Sequence, residues 1–267
     1  MFEPVEDTHS VVEAVFGIIF VRRFTPSDFV RIDDAKGTFT DRLPKVSRID
    51  DFNIALGSIP TANFPATKSP GGIIFDRMKP NGEIEWRLKV EDNSIYVNCL
   101  NYKGRSDFFP KATEMISDII KLLSGSNNAA GSFQLQYINE YNWSGPLEGY
   151  DPKLLLKVDG EMMPGAVFSK GPFWHSHQGW FESTDTPVPG KLLKRGHIDG
   201  LQRPSGQYFI RVDVLNRVDC ASPIGIKALE GTPAIVNEHA VALHQLVKAM
   251  VGSYITDKVA ERIALWR

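Results

Sequence analysis

The chain has 267 residues, 42% of them apolar and 23% charged, an ordinary globular composition with length for one large domain or two small ones. Its formal net charge of −2 argues against a general nucleic-acid or anionic-membrane binder, whose affinity comes from clustered Lys and Arg. The opening MFEPVEDTHS has no basic or apolar leader signature, and the longest apolar run, Ala14–Val21, is far short of the ~20 residues of a membrane span. A cytoplasmic protein is expected. Its two cysteines, Cys99 and Cys220, read as reduced buried thiols, with no C-x-x-C redox or zinc signature.

Glu3–Ser10 reads as a polar lead-in. Val11–Phe24, VVEAVFGIIFVRRF, is almost continuously apolar and rich in β-branched residues. It predicts a central strand buried on both faces, with Gly17 marking a bulge or a close backbone approach. A short amphipathic helix over Val11–Phe16 is the alternative. Pro26-Ser27-Asp28 signals a helix start or a turn, and Phe29–Ile32 reads as one helical turn or a short strand. Ile49–Leu56 is a further strand candidate. Ser58–Pro70, with prolines at 60, 65 and 70, reads as loop.

A meander follows. Gly72–Met78 leads through the hairpin signal Asn81-Gly82 into Glu83–Glu91, whose apolar and charged residues alternate. Asp92-Asn93 turns the chain into Ser94–Tyr102. Phe108–Leu123 carries one apolar stripe at helical spacing, with Pro110 in its first turn. Ser124–Gly131 is small and polar, and 125–131 is the linker candidate.

Ser132–Trp143 has the cleanest alternation in the chain. Phe133, Leu135, Tyr137, Tyr141 and Trp143 share one face, with the polar Asn139 among them. Leu154–Val158, Phe173–Glu182, Leu192–Ile198 and Gly206–Val218 are further strand candidates. Thr232-Pro233 opens a helix that Gly252 is expected to end, and Thr256-Asp257 caps a last short helix reaching toward Trp266. The fold class is therefore α+β: two tandem antiparallel β-meander-plus-helix halves, 1–124 and 132–267, joined into one continuous sheet or held as two. The order of elements suggests an internal duplication. Asn98 and Asn216 fall at the same offset in the strand before each long helix.

Some segments resemble a sporadically distributed bacterial family of uncharacterised proteins of about this length. The resemblance is carried by Val11–Phe16, Tyr96-Val97-Asn98, Phe109-Pro110, Tyr137-Ile138-Asn139, His244 and Ile255-Thr256-Asp257. One departure is Gln136, where the family pattern has Arg. The resemblance implies no established activity. It places the chain among accessory proteins of mobile or defence-type gene sets, with a toxin–antitoxin-like context.

No P-loop, G-x-G-x-x-G or G-x-S-x-G pattern occurs, which disfavours a nucleotide hydrolase, a Rossmann dehydrogenase or an α/β-hydrolase. No residue is assigned a catalytic role and no cofactor is expected. His175 and His177 lie two apart on a predicted strand, so both imidazoles could face one metal ion. Two histidines in an aromatic-rich segment are the plainer reading. Glu140 and Asp213, with Arg211 and Arg217, read as cross-strand ion pairs. Trp143, Trp174, Trp180 and Phe181 concentrate aromatic surface around the irregular Ser144–Gly200 segment, which suits a partner protein encoded nearby or a second copy of the chain. Asn98, Asn139 and Asn216 lie among apolar neighbours and require hydrogen-bond partners. With Tyr137 and Tyr208 they outline a small-ligand site between sheet and helix. Three functions follow, in order: a non-enzymatic binding or regulatory protein acting on a partner, a small-ligand-binding helix-on-sheet module, and a metal-dependent hydrolase at His175 and His177.

Overall fold

The computed structural model describes residues 1–6, 9–53 and 67–266. Among them, ten strands form one antiparallel sheet: β1 Phe2–Pro4, β2 Val11–Phe20, β3 Lys45–Asn53, β4 Thr67–Met78, β5 Ile84–Glu91, β6 Ser94–Cys99, β7 Ala129–Trp143, β8 Trp174–Thr184, β9 Gly190–Gln202 and β10 Tyr208–Gly225. The described α-helices are α1 Pro26–Asp34, α2 Arg105–Leu122, α3 Ile226–Gly231, α4 Ala234–Tyr254 and α5 Asp257–Arg262. The strand order is β3-β4-β5-β6-β2-β7-β10-β9-β8, with β1 added to the end of β7. The two expected halves are thus one sheet, joined through the β2–β7 pair. In each half the first strand pairs with the strand that precedes the long helix, β2 with β6 and β7 with β10.

Alternation decides which side of the sheet is covered. On β7, Phe133, Leu135, Tyr137 and Tyr141 are buried beneath helices, and α4 packs on β7 and β10. α2 packs on β6 and β2, and α1 on β4. Burying a Leu, Val or Phe side chain is worth roughly 1.5–3 kcal/mol, so this covered face supplies most of the driving force. The other face is polar and laced with ion pairs, including Asp76–Arg87 at 2.7 Å, Glu140–Arg211 at 2.7 Å and Arg217–Asp219 at 2.8 Å. Gly17 marks a close approach, because a Cβ there would lie 2.1 Å from the Tyr96 ring.

Several boundaries differ from the sequence reading. Val11–Phe16 is strand, not helix, and Phe29–Ile32 lies within α1. The α1 start is a capping box, with Thr25 accepting from the Asp28 N–H and the Asp28 carboxylate accepting from Thr25. Residues 58–66 of the expected loop lie outside the described residues, and Thr67–Pro70 is already strand. α2 begins at Arg105, so Pro110 stands inside the helix and not in its first turn. β7 begins at Ala129 and absorbs the end of the expected linker. Leu154–Val158 is no strand: Pro152–Leu154 is a 3-10 turn and Leu156 makes an isolated bridge to Ile255. Gly252 does not end α4, which runs on to Tyr254. The Trp266 ring lies where a Cβ of Gly252 would be, at 2.4 Å. Hydrogen bonding to the preceding turn outweighs the conformational cost of that glycine.

No helix among the described residues is long and apolar enough to cross a membrane.

Candidate functional site

A cleft of about 280 Å³ opens where the middle of the sheet meets both long helices. Its floor comes from β7, through Tyr137 and Asn139. One wall is the segment leading into β2, His9 to Val11. A second is Tyr102-Lys103-Gly104-Arg105 at the start of α2. The third is α4, through His244, Lys248 and Val251, with Ile263, Ala264 and Leu265 closing the rim. These segments meet because β2 and β7 are neighbours and α2 and α4 lie on the same side of them.

The polar floor is internally bonded. Tyr137 Oη lies 2.9 Å from His244 Nδ1 and 3.5 Å from Tyr102 Oη. The Ser10 hydroxyl lies 3.0 Å from Asn139 Oδ1 and 2.9 Å from Tyr141 Oη, and Asn139 Nδ2 donates to the Val212 carbonyl at 3.1 Å. Phe109 meets His244 edge-on, with centroids 5.4 Å apart, and His9 meets Tyr102 the same way at 5.4 Å. Asn139 is 3% exposed and Tyr137 4%, so their side chains are held by the surrounding core and not by solvent.

Lys103, Arg105 and Lys248 line the cleft, and among the described lining residues none is acidic. Burial, and then the nearby charges of Lys248 and Arg105, lower the His244 pKa to about 4. Burial and then Arg105 lower that of Lys248. Burial also lowers His9 and raises Tyr102, and raises Tyr137 well above the usual phenol value. The Tyr137–His244 pair therefore stays neutral near pH 7. A general acid or base works best with a pKa near the working pH, and both groups are moved away from it.

The expected ligand-binding residues separate. Tyr137 and Asn139 are in the cleft. Asn98 is on the opposite, polar face, donating to Glu13 at 2.7 Å. Its apolar surroundings in sequence belong to the other side of β6, where Ile95, Val97 and Cys99 are buried. Asn216 is fully buried on the covered face, outside the cleft lining. Because Asn98 and Asn216 point to opposite faces, their equal sequence offset is not an equal structural position. Tyr208 packs against Tyr150 and Phe173, with centroids 6.0 and 5.8 Å apart, at another corner of the molecule.

The expected partner-binding aromatics do not form one patch. Trp143 is 7% exposed, packed on Phe2 and Tyr150 with its indole donating to the Pro146 carbonyl at 2.9 Å. Trp174 and Trp180 are half-buried on the covered face of β8, and Trp180 donates to Glu182 at 2.7 Å. Phe181 is exposed on the other face. His175 and His177 are exposed on that same open face, opposite Asp199 and His197 of β9. The His177 and His197 rings stack at 5.0 Å, and His197 Nε2 lies 3.0 Å from Asp199. Among the described residues no three His, Cys, Asp or Glu side chains are grouped to hold a metal ion. Glu140 forms the expected ion pair with Arg211, directly opposite on β10, and a second with Arg203 at 2.5 Å.

His9, Ser10, Tyr102, Lys103, Arg105 and Lys248 escaped the sequence reading as site residues. The one local signal was Lys103-Gly104-Arg105, two bases around a glycine at a helix start. No protein-family model matches the chain, and no curated protein sequence matches it.

Proposed function

We propose that the chain is a non-enzymatic binding protein that holds a small ligand in the cleft between β7, α2 and α4. The carrying observation is the floor itself. Tyr137 with His244, and Ser10 with Asn139, are drawn from segments far apart in sequence, each pair joined by a hydrogen bond beneath an open cavity, and Tyr102 Oη stands 3.5 Å from Tyr137 Oη. Polar groups pre-organised in this way bind with little ordering cost. Few polar groups set in a mostly apolar wall are the usual make-up of a small-molecule site. The neutral, strongly shifted Tyr137–His244 pair supports recognition over proton transfer. Phe109, Tyr137, Asn139 and His244, which carry much of the family resemblance, all lie at or against this cleft. A binding role fits an accessory protein whose state is set by a small molecule.

The test is native mass spectrometry of the intact chain purified from cells, followed by denaturing extraction and by NMR of labelled histidine and tyrosine. A co-purified or added small molecule should shift the signals of His9, Tyr102, Tyr137 and His244 together. Leu265→Trp, at the rim, should weaken the effect at least tenfold. A chain that carries no small molecule, and whose cleft signals move with no member of a fragment library, overturns the reading.

A further inference from the structure

We propose that β8 pairs antiparallel with β8 of a second copy of the chain, so that two molecules join edge to edge into one continuous sheet. This goes beyond the cleft and does not depend on it. β8 is one end of the sheet, and among the described residues its only backbone partner is β9. The outward row of N–H and C=O groups on such an edge is a template for another strand, and proteins blunt it with charge, proline, bulges or shortness. β8 has none of these devices. It runs for eleven residues, WHSHQGWFEST, opposite β9 without a register shift. It holds no Lys or Arg, and its one carboxylate, Glu182, is engaged by Lys194 at 2.7 Å and by the Trp180 indole at 2.7 Å. The opposite end of the sheet, β3, holds four charged residues in nine: Lys45, Arg48, Asp50 and Asp51. The two ends differ, and β8 is the one left open to pairing.

The pattern along β8 makes a second copy the fitting partner. A two-fold pairing of all eleven residues sets the middle one, Gly179, opposite itself. The nearest atoms that a Cβ at Gly179 would meet belong to β9, the Lys194 carbonyl at 3.3 Å first, so the outer side of the strand is clear at its centre. In this register His177 faces Phe181 of the other copy on the open side of the sheet, and Ser176 faces Glu182 on the covered side. No like charges meet, and the imidazole–phenyl contact is the kind of cross-strand pair that stabilises a sheet. Phe181, 59% exposed in the single chain, gains a cover. The edge is roughly 35 Å long and one sheet layer about 10 Å deep, so pairing buries on the order of 700 Å² over both copies. An interface of that size is weak, and the dimer forms with rising concentration.

Sedimentation equilibrium of the intact chain from about 1 to about 300 µM spans the range in which so small an interface associates. The expected result is a monomer–dimer equilibrium. H177K/F181K sets like charges opposite each other twice across the pair and should weaken the dimer at least tenfold. H177E/F181K sets opposite charges at the same places and should restore it to within about threefold of the parent chain. Both positions are exposed, and a thermal melt verifies that each variant folds. Both variants lose the stacking of His177 on His197, so the difference between them reads the contact across the interface. A parent chain that stays monomeric to the top of the range overturns the proposal. So does a dimer that H177K/F181K leaves unchanged or that H177E/F181K fails to restore. Growth beyond the dimer overturns it as well, because β8 would then be meeting a different surface of the next copy.

Discussion

Asn139 and Asn216 stand on neighbouring strands of one sheet and face the same helical layer, yet their surroundings are opposite. Asn139, 3% exposed, has both ends of its amide engaged, by Ser10 and by the Val212 carbonyl. Asn216, fully buried, has no hydrogen-bond partner for either Nδ2 or Oδ1 among the described residues, and His239 Nε2 in the same layer has none either. The difference is one of position along the sheet. Asn139 lies opposite Val11, where β2 begins with a register shift and the incoming chain brings the Ser10 hydroxyl within reach. Asn216 lies in mid-strand, opposite Leu135 and Lys194 and flanked by Val214 and Val218. The irregular entry to β2 supplies Asn139 with the Ser10 hydroxyl, whereas no neighbour of Asn216 within the regular sheet reaches its amide. The cleft formed on the irregular side.

The largest expected effect is on the cleft side and depends on pH. His244 is held neutral, its pKa lowered from 6.5 to about 4 by burial, Lys248 and Arg105. Between those values the unfolded chain binds more protons than the folded one, so stability rises with pH through this window and is lost as pH falls through it. At about 1.36 kcal/mol per pH unit, His244 alone accounts for up to about 3 kcal/mol. Urea denaturation across pH 4 to 7 should show this acid limb, and His244→Asn should flatten it. His239, lowered in the same direction chiefly by burial, should flatten it less when replaced by Asn. An equal or larger effect at His239 would break the contrast between the two regions.

Asn139→Leu should cost about 2 kcal/mol, because it removes two buried hydrogen bonds, from the Ser10 hydroxyl and to the Val212 carbonyl. Equilibrium denaturation checks it, with an unchanged denaturant slope as the sign that the fold persists. Asn216→Leu should do the reverse and raise stability by about 1 kcal/mol, since it replaces an unpartnered amide by an apolar side chain of similar volume. A loss at Asn216 would mean that its amide is structurally engaged after all, and the comparison would collapse.

Much of this was legible in the residues. The period-two pattern of 133–143 located β7 and its buried face, and Asn81-Gly82 located a hairpin, because alternation and turn chemistry are local. β1 and α3 were not legible, as three- and six-residue elements carry too little period to read. Asn98 was assigned to the apolar side because its face depends on pairing with Val15 and Arg87, which no local window contains. The cleft was half legible. Tyr137 and Asn139 followed from the strand pattern. His244 lies 107 residues beyond Tyr137, and Lys103 and Arg105 sit on a turn whose direction only the packing of α2 determines.

The smallest effect separates what the cleft contributes to folding from what it contributes to binding. Tyr137→Phe removes one hydroxyl, which meets His244 at 2.9 Å and Tyr102 at 3.5 Å. The net worth of one such hydrogen bond is about 1 kcal/mol or less, and the ring that fills the core is retained. Denaturation should register a loss of that size, with the acid limb still present because His244 remains buried beside Lys248 and Arg105. A ligand that uses the hydroxyl should lose more affinity in the same variant than the fold loses stability. Equal losses in the two measurements would mean that the hydroxyl serves the fold alone, and that the polar floor differs from the region around Asn216 only in being satisfied.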